Sequence, residues 1–145
     1  MRKRLLLALA LAACCVPAAA AASPSGIKSV STTLTASPVT PKSGSKGRAR
    51  IVVQLDTKHG KACWTITTKG VVGGRLLSAH VHKGKPGKLG PVVLPLGDRY
   101  EKTGCVIARP SVVAAVAKAP KSYYVDIHSA RFVNGALRGQ LHAGK

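Results

Sequence analysis

Acidic side chains are nearly absent: 4 Asp and Glu stand against 23 Lys and Arg in 145 residues, a formal net charge of +19. Asp56, Asp98, Glu101 and Asp126 are scattered along the folded part of the chain, which starves any paired-carboxylate hydrolytic mechanism. Aromatic residues are as sparse, at 3 %, so a core must be filled by Val, Ile, Leu and Ala. No Gly-x-Ser-x-Gly elbow is present to expose a serine nucleophile. Gly84-Lys85-Pro86-Gly87-Lys88 is basic and glycine-containing, but it lacks the spacing and the following helix of a phosphate loop. None of the 4 cysteines belongs to a Cys-x-x-Cys pair, which argues against a zinc-thiolate site. The apolar run from Leu5 to Val16 falls short of the roughly 20 residues that span a bilayer.

What is present first is a leader. Arg2, Lys3 and Arg4 form a basic start, the apolar run follows, and Pro17 with the alanines to Ala22 forms a small-residue cleavage region. Residues 1–22 read as an export signal peptide. Leu11-Ala12-Ala13-Cys14 also resembles a lipobox, in which Cys14 would be acylated and the protein lipid-anchored. Simple secretion is preferred, because Cys14 lies very early and Cys15 follows it. Cleavage near Ala22 leaves 20 basic residues against four acidic ones, a net charge of +16. Such a surface attracts polyanions at long range in low salt, and anionic cell-envelope polymers are the expected partners if there are any. A self-repelling surface with no dedicated partner is the preferred reading. No sequence-specific nucleic-acid binding is expected. Cys63 and Cys105 remain after cleavage, and two cysteines in an exported domain predict one disulfide. Closing a loop of that size is worth about 4 kcal/mol in the chain-entropy model.

Residues 23–46 are rich in Ser, Thr, Pro and Gly and read as a flexible tether, with Ile27, Val30 and Leu34 as weak packing candidates. The pattern changes at residue 47. Ala49, Ile51, Val53 and Leu55 alternate with Arg50, Val52, Gln54 and Asp56, as in a half-buried strand. Ala62, Trp64 and Ile66 alternate with Cys63, Thr65 and Thr67 in the next. Further strands are expected from Leu76 to His82, Pro91 to Leu96, Tyr100 to Ala108, Lys121 to Ala130 and Ala136 to His142. Asn134-Gly135 is a hairpin-type turn. Pro110 to Ala119 does not alternate and predicts one short helical segment, with Ser111 as a cap. About seven strands at roughly ten-residue intervals predict an all-β fold, an antiparallel sandwich or barrel, over residues 47–145.

Histidines supply the chemistry. His80 and His82 share one strand face, opposite Leu77, Ala79 and Val81. His128 shares a face with Tyr124 and Asp126. If the two strands are neighbours, three imidazoles meet, with Asp126 as a ligand or an acceptor behind them. Imidazole suits zinc and copper. The preferred reading is a structural cluster with no cofactor, since His-x-His is a common chance pattern. His59 and His142 take no role. Lys83, Lys85 and Lys88 crowd the turn after His82 and are the expected contributors to any polyanion binding.

Ala79-His80-Val81-His82, Gly84, Gly87, Gly90-Pro91-Val92-Val93, Tyr124-Val125-Asp126-Ile127-His128-Ser129 and Arg138-Gly139-Gln140-Leu141 together resemble the CHRD domain, the module named after chordin and also found in exported bacterial proteins. The resemblance spans roughly Gly47 to Leu141. It implies an immunoglobulin-like β-barrel with limited likeness to copper/zinc superoxide dismutases, and it implies no established activity. Two departures stand out: Asp126-Ile127-His128-Ser129 replaces the family's Asn-x-His-Thr, and Gly135-Ala136 replaces a Gly-Glu, removing a carboxylate partner for Arg138. The expected protein is therefore an exported, non-enzymatic extracellular or envelope module. Metal binding, with a redox role in its train, and adhesion to anionic polymers are the alternatives.

Overall fold

A computed structural model describes residues 26–70 and 72–144; the signal peptide expected at residues 1–22 and the expected lipidation site Cys14 lie outside them. Among the described residues nine strands form two antiparallel sheets. β1 (Ile27–Leu34), β2 (Arg48–Asp56), β3 (Lys61–Lys69), β6 (Thr103–Ile107) and β9 (His142–Ala143) make a five-stranded sheet in the order β6-β3-β2-β1-β9. β4 (Leu76–Lys83), β5 (Val92–Pro95), β7 (Tyr123–Ser129) and β8 (Leu137–Gln140) make a four-stranded sheet in the order β5-β4-β7-β8. The all-β sandwich expected from the turn spacing is the fold observed.

The core follows from period-two alternation. Val30, Leu34, Ile51, Val53, Leu55, Trp64 and Ile66 face Ala79, Val81, Val125, Ile127 and Leu137, all buried. Two strands at one corner tie the sheets together: Thr35 and Arg138 exchange backbone hydrogen bonds of 3.0 and 2.9 Å. α1 (Pro110–Lys118) covers the core with Val113 and Val116. Proline at its start has no N–H to orphan, and Lys118 in its last turn complements the helix dipole. The expected cap is corrected. Ser111 lies inside the first turn, and the N-cap position is Arg109, which makes no side-chain capping bond.

The tether is also corrected in part. Residues 27–34 are a full strand, paired with β2 from Ile27↔Asp56 to Leu34↔Ala49. β1 lies inside the sheet, between β2 and β9, so these residues belong to the sandwich. Its period was hidden because buried Thr32 replaces an apolar residue between Val30 and Leu34; the Thr32 hydroxyl donates to the Thr33 carbonyl at 3.2 Å, which lets a polar group occupy an inward position. Cys63 and Cys105 are register partners and form the disulfide, stapling edge strand β6 onto β3.

Candidate metal centre

The site lies on the outer face of the four-stranded sheet. β4 and β7 pair with Ser78↔His128, His80↔Asp126 and His82↔Tyr124, and β7 and β8 pair with Tyr124↔Gln140 and Asp126↔Arg138. Alternation turns His80, His82, Tyr124, Asp126, His128, Arg138 and Gln140 to the same side. Two irregularities in the ladder flank the histidines, one at Val81/His82 against β5 and one at Leu76/Ser78 against β7. Bulges of this kind re-aim side chains.

Three imidazoles converge on one oxygen. Asp126 Oδ1 lies 3.0 Å from His82 Nε2, 3.2 Å from His128 Nε2 and 3.5 Å from His80 Nδ1. The far nitrogens of two of these rings are fixed by backbone carbonyls: His82 Nδ1 donates to Gly90 O at 2.9 Å and His128 Nδ1 to Val133 O at 2.8 Å. A carbonyl only accepts, so each Nδ1 carries its hydrogen and each Nε2 is left with a lone pair or a second proton. His80 Nδ1 and His128 Nε2 are buried and make no hydrogen bond of good geometry. The ligand atoms of His80, His82, Asp126 and His128 all lie within 4.8 Å of one another.

The electrostatics follow from this packing. Burial alone would push the Asp126 carboxyl up, but the polar contacts of His128, His80 and His82 outweigh it and hold the carboxyl well below the usual carboxylate range. His128 is pushed up by Asp126, against the opposing effect of burial. Asp126 is therefore ionised, and it is the only negative group among the four.

A stack and a loop support the histidines. The His82 ring lies parallel to Tyr124, with centroids 4.7 Å apart, and the Arg138 guanidinium sits over the Tyr124 ring with Cζ 3.4 Å from its centroid. Arg138 is buried. It donates to the Lys88 carbonyl and, at 3.5 Å, approaches that of Lys85. Gln140 Nε2 donates to Gly84 O and Lys121 O at 2.8 Å each, and Gly90 N–H donates to the Tyr124 hydroxyl at 3.2 Å. The loop from Gly84 to Gly90 is thus strapped beside the site. Gly90 has no room for a side chain, since a Cβ there would meet the Lys83 carbonyl. Gly139 has none either, because its Cβ would lie 2.5 Å from Thr33 O.

The sequence placed the three histidines and Asp126 on two strand faces, and the register brings all four together. It left Arg138 without a partner and gave Tyr124 and Gln140 no task. Their shared parity with Asp126 was the available signal; the carbonyls and ring that engage them belong to a distant loop and a neighbouring strand. Lys83, Lys85 and Lys88 are exposed on the loop; the backbone carbonyls of Lys85 and Lys88, rather than their ammonium groups, face Arg138. His59 pairs with Asp56 at 2.7 Å in a turn. A cavity of about 480 Å³ opens beside the cluster, lined by His82, Tyr124, Asp126, His128, Leu89 and Pro41.

The CHRD domain family matches over residues 30–141, and the chain belongs to that family. No curated protein and no solved structure matches it.

Proposed function

We propose that the protein is an exported, non-enzymatic CHRD module that holds one zinc or copper ion through His80, His82, Asp126 and His128. The observation that carries the reading is the approach of three imidazole nitrogens to Asp126 Oδ1 at 3.0, 3.2 and 3.5 Å. Metal–ligand bonds of about 2.0–2.1 Å arranged tetrahedrally separate neighbouring ligand atoms by about 3.3 Å. Without an ion, the Nε2 lone pairs of His82 and His128 face an anion unless those two rings carry an extra proton, while a neutral His80 can present either an Nδ1 lone pair or an Nδ1–H. The carbonyls behind His82 and His128 supply the outer hydrogen bonds that ligating imidazoles ordinarily make. Imidazole with one carboxylate suits zinc or copper better than a hard cation. Export is supported by the extracellular setting typical of CHRD domains and by the disulfide. Among the described residues no helix is long and apolar enough to cross a membrane.

The test is calorimetric titration of zinc and of copper into chelator-treated protein and into H80Q, H82Q, H128Q and D126N. One ion per chain is expected, with affinity falling at least about tenfold in every variant. Absence of stoichiometric binding, together with lower melting temperatures of the variants in chelator, would instead establish a hydrogen-bonded structural cluster.

A further inference from the structure

We propose that the outer face of the five-stranded sheet binds a linear anionic polysaccharide carrying phosphate or sulfate groups, anchored by Arg48, Arg50 and Lys69. This surface is on the sheet opposite the histidines and does not depend on the metal reading.

The register places the cations. Arg48 is the direct partner of Lys69, and Arg50 follows two residues along, flanked by Thr33 on β1 and Thr67 on β3. All three cations are exposed. Directly opposed side chains lie about 4.5–5.5 Å apart at Cβ, and like charges in that position destabilise a sheet. No ion pair among the described residues offsets this cost. The ion pairs among the described residues are His59–Asp56, three histidines with Asp126, and Arg99–Glu101. The one acid on this face, Asp56, is six residues beyond Arg50 on β2, roughly 20 Å away at strand rise, and it is engaged by His59. Lys46 adds a fourth exposed cation at the same end, its carbonyl beside Gly70. An arrangement that weakens the fold and gathers one sign of charge is the mark of a surface shaped by a ligand.

The rest of the face says what kind of polyanion. Below the cations the next outward row carries three hydroxyls around one valine: Ser31 on β1, Val52 on β2, Thr65 on β3 and Thr103 on β6. A shallow depression of about 320 Å³ lies against Arg50, Ser29 and Ser31, with Val52, Ala143 and Gly144 completing its lining. Among the described residues no Trp, Tyr or Phe reaches this face: Trp64, Tyr123 and Tyr124 are buried, and Tyr100 and Phe132 pack against the core; the one ring in its rows is His142, the partner of Ser31 on edge strand β9. Single-stranded nucleic acid would need rings on which to stack its bases, and a broad sheet face cannot enter a duplex groove as a helix or two-stranded ribbon does. Charged groups with a hydroxylated backbone fit the cations and hydroxyls that are present.

Two triple variants with equal charge loss give the test. R48Q/R50Q/K69Q removes the sheet cations, and K83Q/K85Q/K88Q removes those of the glycine loop. Binding of the full chain to dextran sulfate and to a short DNA duplex is measured across a salt series. The sheet variant is expected to lose at least about tenfold in affinity for dextran sulfate near physiological salt, and to flatten the log K against log salt slope by about two to three. The loop variant should lose less than about threefold. K69Q alone should melt no lower than the parent, since it relieves a like-charge pair, so a folding defect cannot stand in for lost binding. Equal losses from the two triples would reduce the effect to diffuse charge. A larger loss from the loop triple would move the site to the glycine loop. Tighter binding of the duplex than of dextran sulfate at equal salt would make the surface a nucleic-acid site and overturn the assignment.

Discussion

Replacing Arg138 with Met should cost about 3 kcal/mol and loosen the proposed metal site from a distance. The side chain is buried, its guanidinium covers the Tyr124 ring, and it donates to the Lys88 carbonyl. A hydrogen bond from a charged donor is worth about 1.5–3 kcal/mol, and a desolvated cation–π contact about 2 kcal/mol. The exposed loop lets the released Lys88 carbonyl find water, so no buried acceptor is stranded. Met fills much of the volume of the aliphatic stem, which keeps the cavity penalty small. Overlap between the two terms brings the sum to about 3 kcal/mol, or about 10 °C in melting temperature for a domain of this size. The consequence for the site runs through the loop: Gly90 accepts from His82 Nδ1, and loss of such an outer bond weakens metal affinity by about ten- to a hundredfold. Urea unfolding measures the first effect, amide exchange at residues 84–90 the loosening, and zinc titration the second. Arg138→Lys keeps the charge but not the planar stacking group, and it should fall between parent and Met variant. A Met variant within about 0.5 kcal/mol of the parent, with unchanged zinc affinity, would refute the idea that Arg138 couples the loop to His82.

Other consequences are simpler. The apo protein and the loaded protein should respond to pH in opposite directions. His128 has a raised folded pKa, so its contribution to apo stability is present below its unfolded value of about 6.5 and is lost as pH rises through the folded value. Asp126 is depressed, so its contribution is present above its unfolded value of about 3.9 and disappears only in strong acid. Metal must displace the His128 proton, so zinc should raise the melting temperature more at high pH than at low; a zinc effect that shrinks with rising pH would contradict the assignment. The double variant C63S/C105S should lose about 3–4 kcal/mol in denaturant unfolding, because β6 is an edge strand held by one neighbour; an unchanged midpoint would show that pairing alone holds β6. Leu34→Ala should cost about 2–5 kcal/mol, since Leu34 is fully buried in the core; a loss below about 0.5 kcal/mol would return β1 to the status of a tether.

The location of the site couples the two halves of the protein. The histidines stand on rigid strands whose inward neighbours, Ala79, Val81, Val125 and Ile127, are fully buried. A core substitution at Val81 or Ile127 therefore acts on the spacing of the imidazoles as well as on stability. The loop carries the adjustable part, since the carbonyls that orient His82 and engage Arg138 all come from residues 85–90.

Local chain chemistry determined which residues share a face. Alternation alone put His80 with His82, and Tyr124 with Asp126 and His128, because successive side chains on a strand must point to opposite sides. Turn residues marked the hairpins, and the proline-flanked run of Val and Ala marked the helix. Distance between strands is not written in alternation. Whether His128 stands beside His80 or across the sandwich depends on strand order and register, which are set when both inner faces are buried at once. The same global constraint recruited residues 27–34, whose polar composition reads as a tether until β2 and β9 supply partners for its backbone. It also set Arg48 against Lys69, a pairing that local preference disfavours and that burial of Ala49, Ile51 and Ile66 on the inner face imposes, because shifting the register by one residue would turn that whole apolar set to solvent.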